Sequence, residues 1–199
     1  MHQKMRITTG IYRGRQINGP RKIRPTQDKV RKALFDILGD VRGLSFLELY
    51  AGSGAVGLEA ASRGVKELVM VEYDRDCLIA IKRNIESLKP RACELYPKQA
   101  DFIIQLMHKD KRKFDLIFLD PPYCQGLSKK TLQTLGAYDI LAPDGFVVVQ
   151  HFKKDELPEK EGGLALVKQS KYGDTLLSFY RKAEGKTKIP ILPNPKDGI

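Results

Sequence analysis

Residues 114–123 read F-D-L-I-F-L-D-P-P-Y, an apolar, strand-forming run that closes on an acid, two prolines and an aromatic. Each proline fixes one φ angle and removes one backbone donor, and the residue before a proline is pushed toward extended geometry. Asp120 is therefore expected on stiff backbone at a strand end, with Tyr123 a short step away. A carboxylate and a neighbouring carbonyl held rigid in this way can both accept hydrogen bonds from an exocyclic NH2. Such a nitrogen is conjugated with its ring and weakly nucleophilic. Two acceptors out of the ring plane favour a pyramidal nitrogen with an available lone pair. Tyr123 can stack on the base, a contact worth roughly 1–3 kcal/mol. The competing reading is a plain strand-end turn.

Upstream, L-E-L-Y-A-G-S-G-A-V-G sets Gly52, Gly54 and Gly57 at G-x-G-x-x-G spacing, after one expected strand and before an expected helix. Glu72 lies 20 residues beyond Gly52, at the end of the next strand. That is the layout of a nucleotide-type cofactor site, with glycines for close backbone approach and an acid for ribose hydroxyls. Glu48 decides between cofactors. A carboxylate in the strand leading to the loop would repel a pyrophosphate but suits an ammonium or sulfonium. S-adenosylmethionine carries both, plus a ribose for Glu72, and is favoured over NAD. Asp101 and Phe102, at the following strand-to-helix junction, are placed to meet an adenine, although Asp101 could equally cap its helix.

The elements that must position these groups follow from periodicity. Residues 5–17 alternate short apolar and basic side chains and predict a β-ribbon turning near Gly14. Thr26 then resembles an N-cap, with Val30, Leu34, Ile37 and Leu38 at helical spacing and Arg31 and Lys32 off the apolar face. From residue 45 onward strands and helices alternate through residue 151, which predicts a parallel sheet covered on both faces. Residues 164–171 and 175–181 flank Tyr172-Gly173-Asp174 and predict an antiparallel hairpin. This divides the chain into a basic ribbon extension at 1–25, a main domain at 26–182 and a flexible tail at 183–199.

Composition narrows the partners. The 199 residues are 42% hydrophobic, enough for a real core. No apolar run approaches the roughly 20 residues of a membrane span. The start M-H-Q-K-M-R-I-T-T-G lacks the apolar region of a secretory signal, and three scattered cysteines predict neither disulfides nor a zinc site, so a cytoplasmic location is expected. The scattered His2, His108 and His151 suggest no metal. The net charge is +11, and residues 1–32 hold ten Lys or Arg against one acid, Asp28. Such a concentration of positive charge favours nucleic acid as a partner.

Taken together, R-I-T-T-G-I-Y-R-G-R, R-P-T-Q-D-K-V-R-K-A-L-F-D-I-L, L-E-L-Y-A-G-S-G-A-V-G-L-E-A-A-S-R-G, V-E-Y-D and F-D-L-I-F-L-D-P-P-Y resemble the bacterial 16S rRNA guanine-N2-methyltransferase family of the RsmD type. The likeness runs from about residue 5 to residue 182. It implies an α/β, Rossmann-like class I S-adenosylmethionine-dependent methyltransferase fold, with a mostly parallel sheet, a C-terminal antiparallel hairpin and a small N-terminal β-ribbon and helix extension. It implies that Arg24, Pro25 and Thr26 close over the methionine end of the cofactor. Glu48, Gly52 and Gly54 would hold its amino-acid part, Glu72 its ribose, and Tyr73, Asp101 and Phe102 would border its adenine. Asp120, Pro121, Pro122 and Tyr123 would receive the guanine amino group. Arg6, Arg13 and Arg15 would contact RNA phosphates, which supply affinity rather than sequence choice. The implied partner is 16S rRNA within the small ribosomal subunit or an assembly intermediate, met by a monomer. Residues 182–199 match no part of the family pattern.

Three rivals remain open at this level. A DNA adenine-N6 or cytosine-N4 methyltransferase shares D-P-P-Y, but usually needs extra mass to select and flip a base in a duplex. An NAD-dependent oxidoreductase would explain the glycines and Glu72 and leave Glu48 and D-P-P-Y unexplained. A non-catalytic RNA-binding protein would explain only the basic N-terminus.

Overall fold

The computed structural model of the chain describes residues 4–20 and 28–183. Its centre is an eight-stranded sheet in the order β5-β4-β3-β6-β7-β10-β9-β8. Strands β3 (Ser45–Leu49), β4 (Glu67–Glu72), β5 (Cys93–Pro97), β6 (Phe114–Leu119) and β7 (Leu141–Phe152) pair parallel. β10 (Thr175–Lys182), β9 (Leu164–Tyr172) and the short β8 (Lys160–Glu161) continue the sheet antiparallel. The expected architecture is thus observed, including the hairpin across Gly173.

The parallel strands alternate between two cores, as the two-residue period of a strand requires. Phe46, Leu68, Met70, Leu116, Phe118 and Val148 face one side, packed by helices α1 (Asp28–Leu38), α2 (Ala55–Ser62) and α3 (Arg75–Leu88). Leu47, Leu49, Val69, Val71, Ile117 and Val149 face the other, packed by α4 (Ala100–Lys109) and α5 (Leu127–Ala137). Within this framework Glu48 points with Phe46, toward α2. The registers Leu49↔Val71 and Leu49↔Leu119 bring the carboxyl ends of β3, β4 and β6 level with one another.

The N-terminal ribbon forms as expected, with β1 (Lys4–Arg6) antiparallel to β2 (Gln16–Asn18). Its Met5, Ile7 and Ile17 are buried in the same core as Val30 and Leu34, so ribbon and main domain share one apolar interior. Glu59 of α2 locks the two together. It accepts from the Thr8 N–H at 2.8 Å, the Thr8 hydroxyl at 2.7 Å and the Thr9 N–H at 3.0 Å, and pairs with Arg63 at 3.1 Å. Gly10 has φ +84°, and a Cβ there would stand 1.9 Å from the Ser62 carbonyl oxygen; only glycine lets this loop lie on α2.

One expectation about α1 is corrected. Arg31 does not stand off the apolar face: it is fully buried. Its guanidinium donates to the Arg6 carbonyl at 2.6 Å and to Asp28 at 2.9 Å, and lies 3.7 Å from Glu59. A helical wheel counts Arg31 as polar and turns it outward, whereas here the Arg6 carbonyl, Asp28 and nearby Glu59 accompany the buried charge, with Nε and Nη1 left without hydrogen bonds.

Candidate active site

The glycine loop is built from left-handed backbone. Tyr50, Gly52 and Gly54 have φ of 61°, 59° and 73°. A Cβ on Gly52 would meet nothing within 4 Å, so this glycine serves the turn and keeps the adjoining space clear. A Cβ on Gly54 would approach the Met70 sulfur at 3.0 Å. The third glycine has a different task. A Cβ on Gly57 would stand 2.5 Å from Glu48 Oε2 and 2.9 Å from Leu68. Its bareness admits the Glu48 carboxylate beneath the first turn of α2, where the Gly57 N–H donates to Oε2 at 3.0 Å.

Glu48 is 2% exposed. Burial pushes its carboxyl up to about 8, the Gly57 N–H pulls it back, and the neighbouring charges of Asp120 and Glu72 add to the rise. Glu72 contrasts with it. Its Oε2 accepts the Gly52 N–H at 2.8 Å, and its Oε1 accepts the Tyr73 and Asp74 N–H groups, each at 2.8 Å. Three backbone donors thereby tie the loop after β3 to the loop after β4. Asp74 in turn caps α3 by accepting the Cys77 N–H at 3.0 Å.

The Asp-Pro-Pro-Tyr segment follows β6, and β7 and β10 brace it. Gln150 of β7 donates from Nε2 to Asp120 Oδ2 at 2.8 Å and lies 3.5 Å from the Tyr123 hydroxyl. That hydroxyl meets the Thr175 hydroxyl of β10 at 3.2 Å. The Tyr123 ring stacks on Phe152 with centroids 6.0 Å apart and planes inclined by 29°. A cavity of about 500 Å³ lies between these groups and the glycine loop.

The structure brings together Glu48, Gly52, Glu72, Tyr73 and Asp120 through Tyr123 as walls of this one cavity. Gly54 is buried below the loop. Asp101 and Phe102 do not line the cavity. Asp101 sits inside α4 rather than at its cap, which is Gln99, and pairs with Lys130 of α5 at 2.8 Å. Phe102 is exposed, with the Lys98 ammonium 5.8 Å from its ring centre. Arg24 and Thr26 fall outside the described residues, as does most of the expected tail. Arg6, Arg13 and Arg15 are exposed on the ribbon; Arg6 donates to the Gly14 carbonyl at 3.3 Å and Arg15 to the Ser87 carbonyl at 2.8 Å.

Sequence reasoning missed Gln150 and Thr175, whose places beside the Asp-Pro-Pro-Tyr segment depend on how their strands pair. One signal was available for Gln150: V-V-V-Q ends the apolar run of the strand beside Asp120 with an amide. Pro20, Val30, Tyr50 and Asp74 also line the wall and were likewise unforeseen.

A family model described as "Conserved hypothetical protein 95" matches residues 5–181. The chain is 34% identical over 182 residues to a Bacillus subtilis protein named putative rRNA methyltransferase YlbH, spanning 89% of this chain and 99% of that one. It is 29% identical over 188 residues to the Escherichia coli ribosomal RNA small subunit methyltransferase D, spanning 92% and 93%. Among solved structures it is similar to the putative methyltransferase yhhF from Escherichia coli, with a TM-score of 0.78 and 27% identity over 90% of this chain and 98% of that chain.

Proposed function

The chain belongs to the conserved hypothetical protein 95 family, of the RsmD type, and from that premise we propose that it methylates the exocyclic N2 amino group of a guanine in small-subunit ribosomal RNA, using S-adenosylmethionine. The observation that carries this reading is the convergence of Glu48, Glu72 and Asp120-Pro121-Pro122-Tyr123 on one cavity at the carboxyl ends of three adjacent parallel strands. In sheets of this type, ligands bind at that edge. The RNA side of the reading is supported by relatives named rRNA methyltransferases and by the net charge of +11.

The residues present fit the cofactor. Glu48 is a buried carboxyl group that accepts the Gly57 N–H, in surroundings that an ammonium would complete. Glu72 Oε2 carries one backbone N–H, and a carboxylate oxygen has capacity for a second donor, such as a ribose hydroxyl. Gly52 leaves open space beside both, and Tyr73 flanks them. When bound, S-adenosylmethionine supplies an electrophilic methyl carbon on a sulfonium sulfur.

The chain's own residues do the rest. Tyr123, steadied by Phe152 and Thr175, offers its ring for stacking on the target base. Asp120 and the carbonyl of Pro121 accept from the amino hydrogens and draw the nitrogen lone pair out of conjugation. Gln150 holds the plane of the Asp120 carboxylate. The nitrogen that takes the methyl, released from sulfur as a neutral thioether departs, would be strongly acidic and would pass one proton to Asp120 or to water. Positioning is the main catalytic contribution in such a site.

The test is transfer of labelled methyl from S-adenosylmethionine to small ribosomal subunits lacking the modification, with nucleoside analysis. N2-methylguanosine in the rRNA is the expected product. Label absent from rRNA but present in DNA as N6-methyladenine would replace this reading with a DNA amino-methyltransferase.

A further inference from the structure

We propose that Gln150 selects guanine: its side-chain oxygen accepts the ring N1–H while Asp120 beside it takes the exocyclic amino group. The proposal rests on the guanine-N2 reading above and names the residue that would enforce it. Gln150 is 4% exposed and lines the cavity. The orientation of its carboxamide follows from charge. The nitrogen end lies 2.8 Å from Asp120 Oδ2, where an oxygen would face another oxygen. The oxygen end is therefore turned the other way, and there it is buried with no hydrogen-bond partner. Buried polar atoms are nearly always paired, and an orphan at a cavity wall calls for a ligand donor. That oxygen is buried, so the carboxamide, anchored on Asp120 through its nitrogen, must rotate for the oxygen to reach a base beside that carboxylate.

The two side chains then form an edge made of acceptors only. Guanine shows N1–H and N2–H2 side by side, two donors in a row, and matches it. Adenine and cytosine show an unprotonated ring nitrogen next to their amino group. Either would set a lone pair against the Gln150 oxygen while satisfying Asp120 alone. Asp120 recognises an amino group, which three bases carry, whereas Gln150 recognises the neighbour that only guanine has. Nothing else on the Asp-Pro-Pro-Tyr segment makes that distinction, because its acceptors address the amino group itself.

2-Aminopurine is the discriminating probe, since it keeps the 2-amino group and lacks the N1 proton. Small subunits are assembled with rRNA carrying guanine or 2-aminopurine at the methylated position, and kcat/KM is measured for both. The wild type is expected to prefer guanine on the order of a hundredfold. In Gln150→Leu that preference should collapse below about tenfold, although the rate on guanine also falls as Asp120 loses its brace. Gln150→Met, which fills a similar volume flexibly, repeats the measurement should the leucine variant fold poorly. A guanine preference that both variants retain, or its absence in the wild type, overturns the assignment of Gln150. Failure of the wild type to form N2-methylguanosine at all would instead remove the reading on which the proposal stands.

Discussion

The two halves of the cavity hold their acids in opposite ways. On the glycine side, carboxylates are gripped by backbone: Glu72 accepts three N–H groups and Glu48 one, all from loops or from the first turn of a helix. On the proline side, the backbone has given up donors, and Asp120 and Tyr123 are steadied by side chains from neighbouring strands, Gln150, Thr175 and Phe152. Backbone grips tie a site to the fold and leave little room for change. Side-chain braces can be exchanged one at a time. The glycine half is thus suited to a ligand that never varies, and the proline half to one that must be told apart from close relatives.

That contrast can be broken most sharply at Asp120. Asp120→Ala should lower methyl transfer roughly a thousandfold, while calorimetric cofactor affinity stays within about twofold. A comparable loss in affinity would mean that the halves are not separable. On the other side, Glu48→Gln should weaken cofactor binding by about 10- to 100-fold, the range for a hydrogen bond to a charged group. The pH dependence sharpens this. With its carboxyl pushed up to about 8, Glu48 is largely protonated at neutral pH in the free protein, and an ammonium partner favours its ionised form. Wild-type affinity should therefore rise as pH increases toward 8, with proton release, and Glu48→Gln should show neither effect. Folding has the opposite slope. The unfolded chain ionises this acid near 4.5 while the folded one keeps its proton, so its contribution to stability is full below 4.5 and is lost as pH rises through about 8.

Gly57→Ala probes the same grip from the helix. The added methyl must displace Glu48 Oε2 or Leu68, and overpacking of this kind costs about 1–3 kcal/mol. A fall of several degrees in the melting temperature, with weakened cofactor binding, is the expected result. An unchanged melting curve would show that Glu48 can move aside. The smallest effect belongs to the ribbon. Arg13→Ala should weaken RNA binding a fewfold at low salt and reduce the salt slope by about one; a loss independent of salt would rule out a phosphate contact. Deleting the ribbon is a poorer test, because Met5, Ile7 and Ile17 belong to the core.

The same division governs what the amino-acid sequence reveals. Strand and helix order, the hairpin, and the placing of Glu48, Glu72 and Asp120 at one sheet edge all follow from periodicity and local punctuation. Backbone-built features leave glycines and prolines at fixed offsets, and these can be read. Gln150 and Thr175 could not be read in this way, since their roles depend on which strands become neighbours, and β10 reaches β7 from the far end of the chain. Arg31 and Glu59 were invisible for a related reason: a charge is buried only when a distant segment arrives to pair with it, here the loop at Thr8 and Thr9. Asp101 is a further case. Its position along the chain fits a cofactor contact, yet Lys130 on the next helix lies within ion-pairing reach.

The hold of Glu59 on the N-terminal loop has a further meaning. Helix α2 runs from the glycine turn at its beginning to the ribbon's anchorage at its end, and its 8 residues span roughly 12 Å. It is a ruler. The glycine turn and the ribbon loop, which α2 grips through Glu59 and Ser62, are held at a spacing that this helix sets.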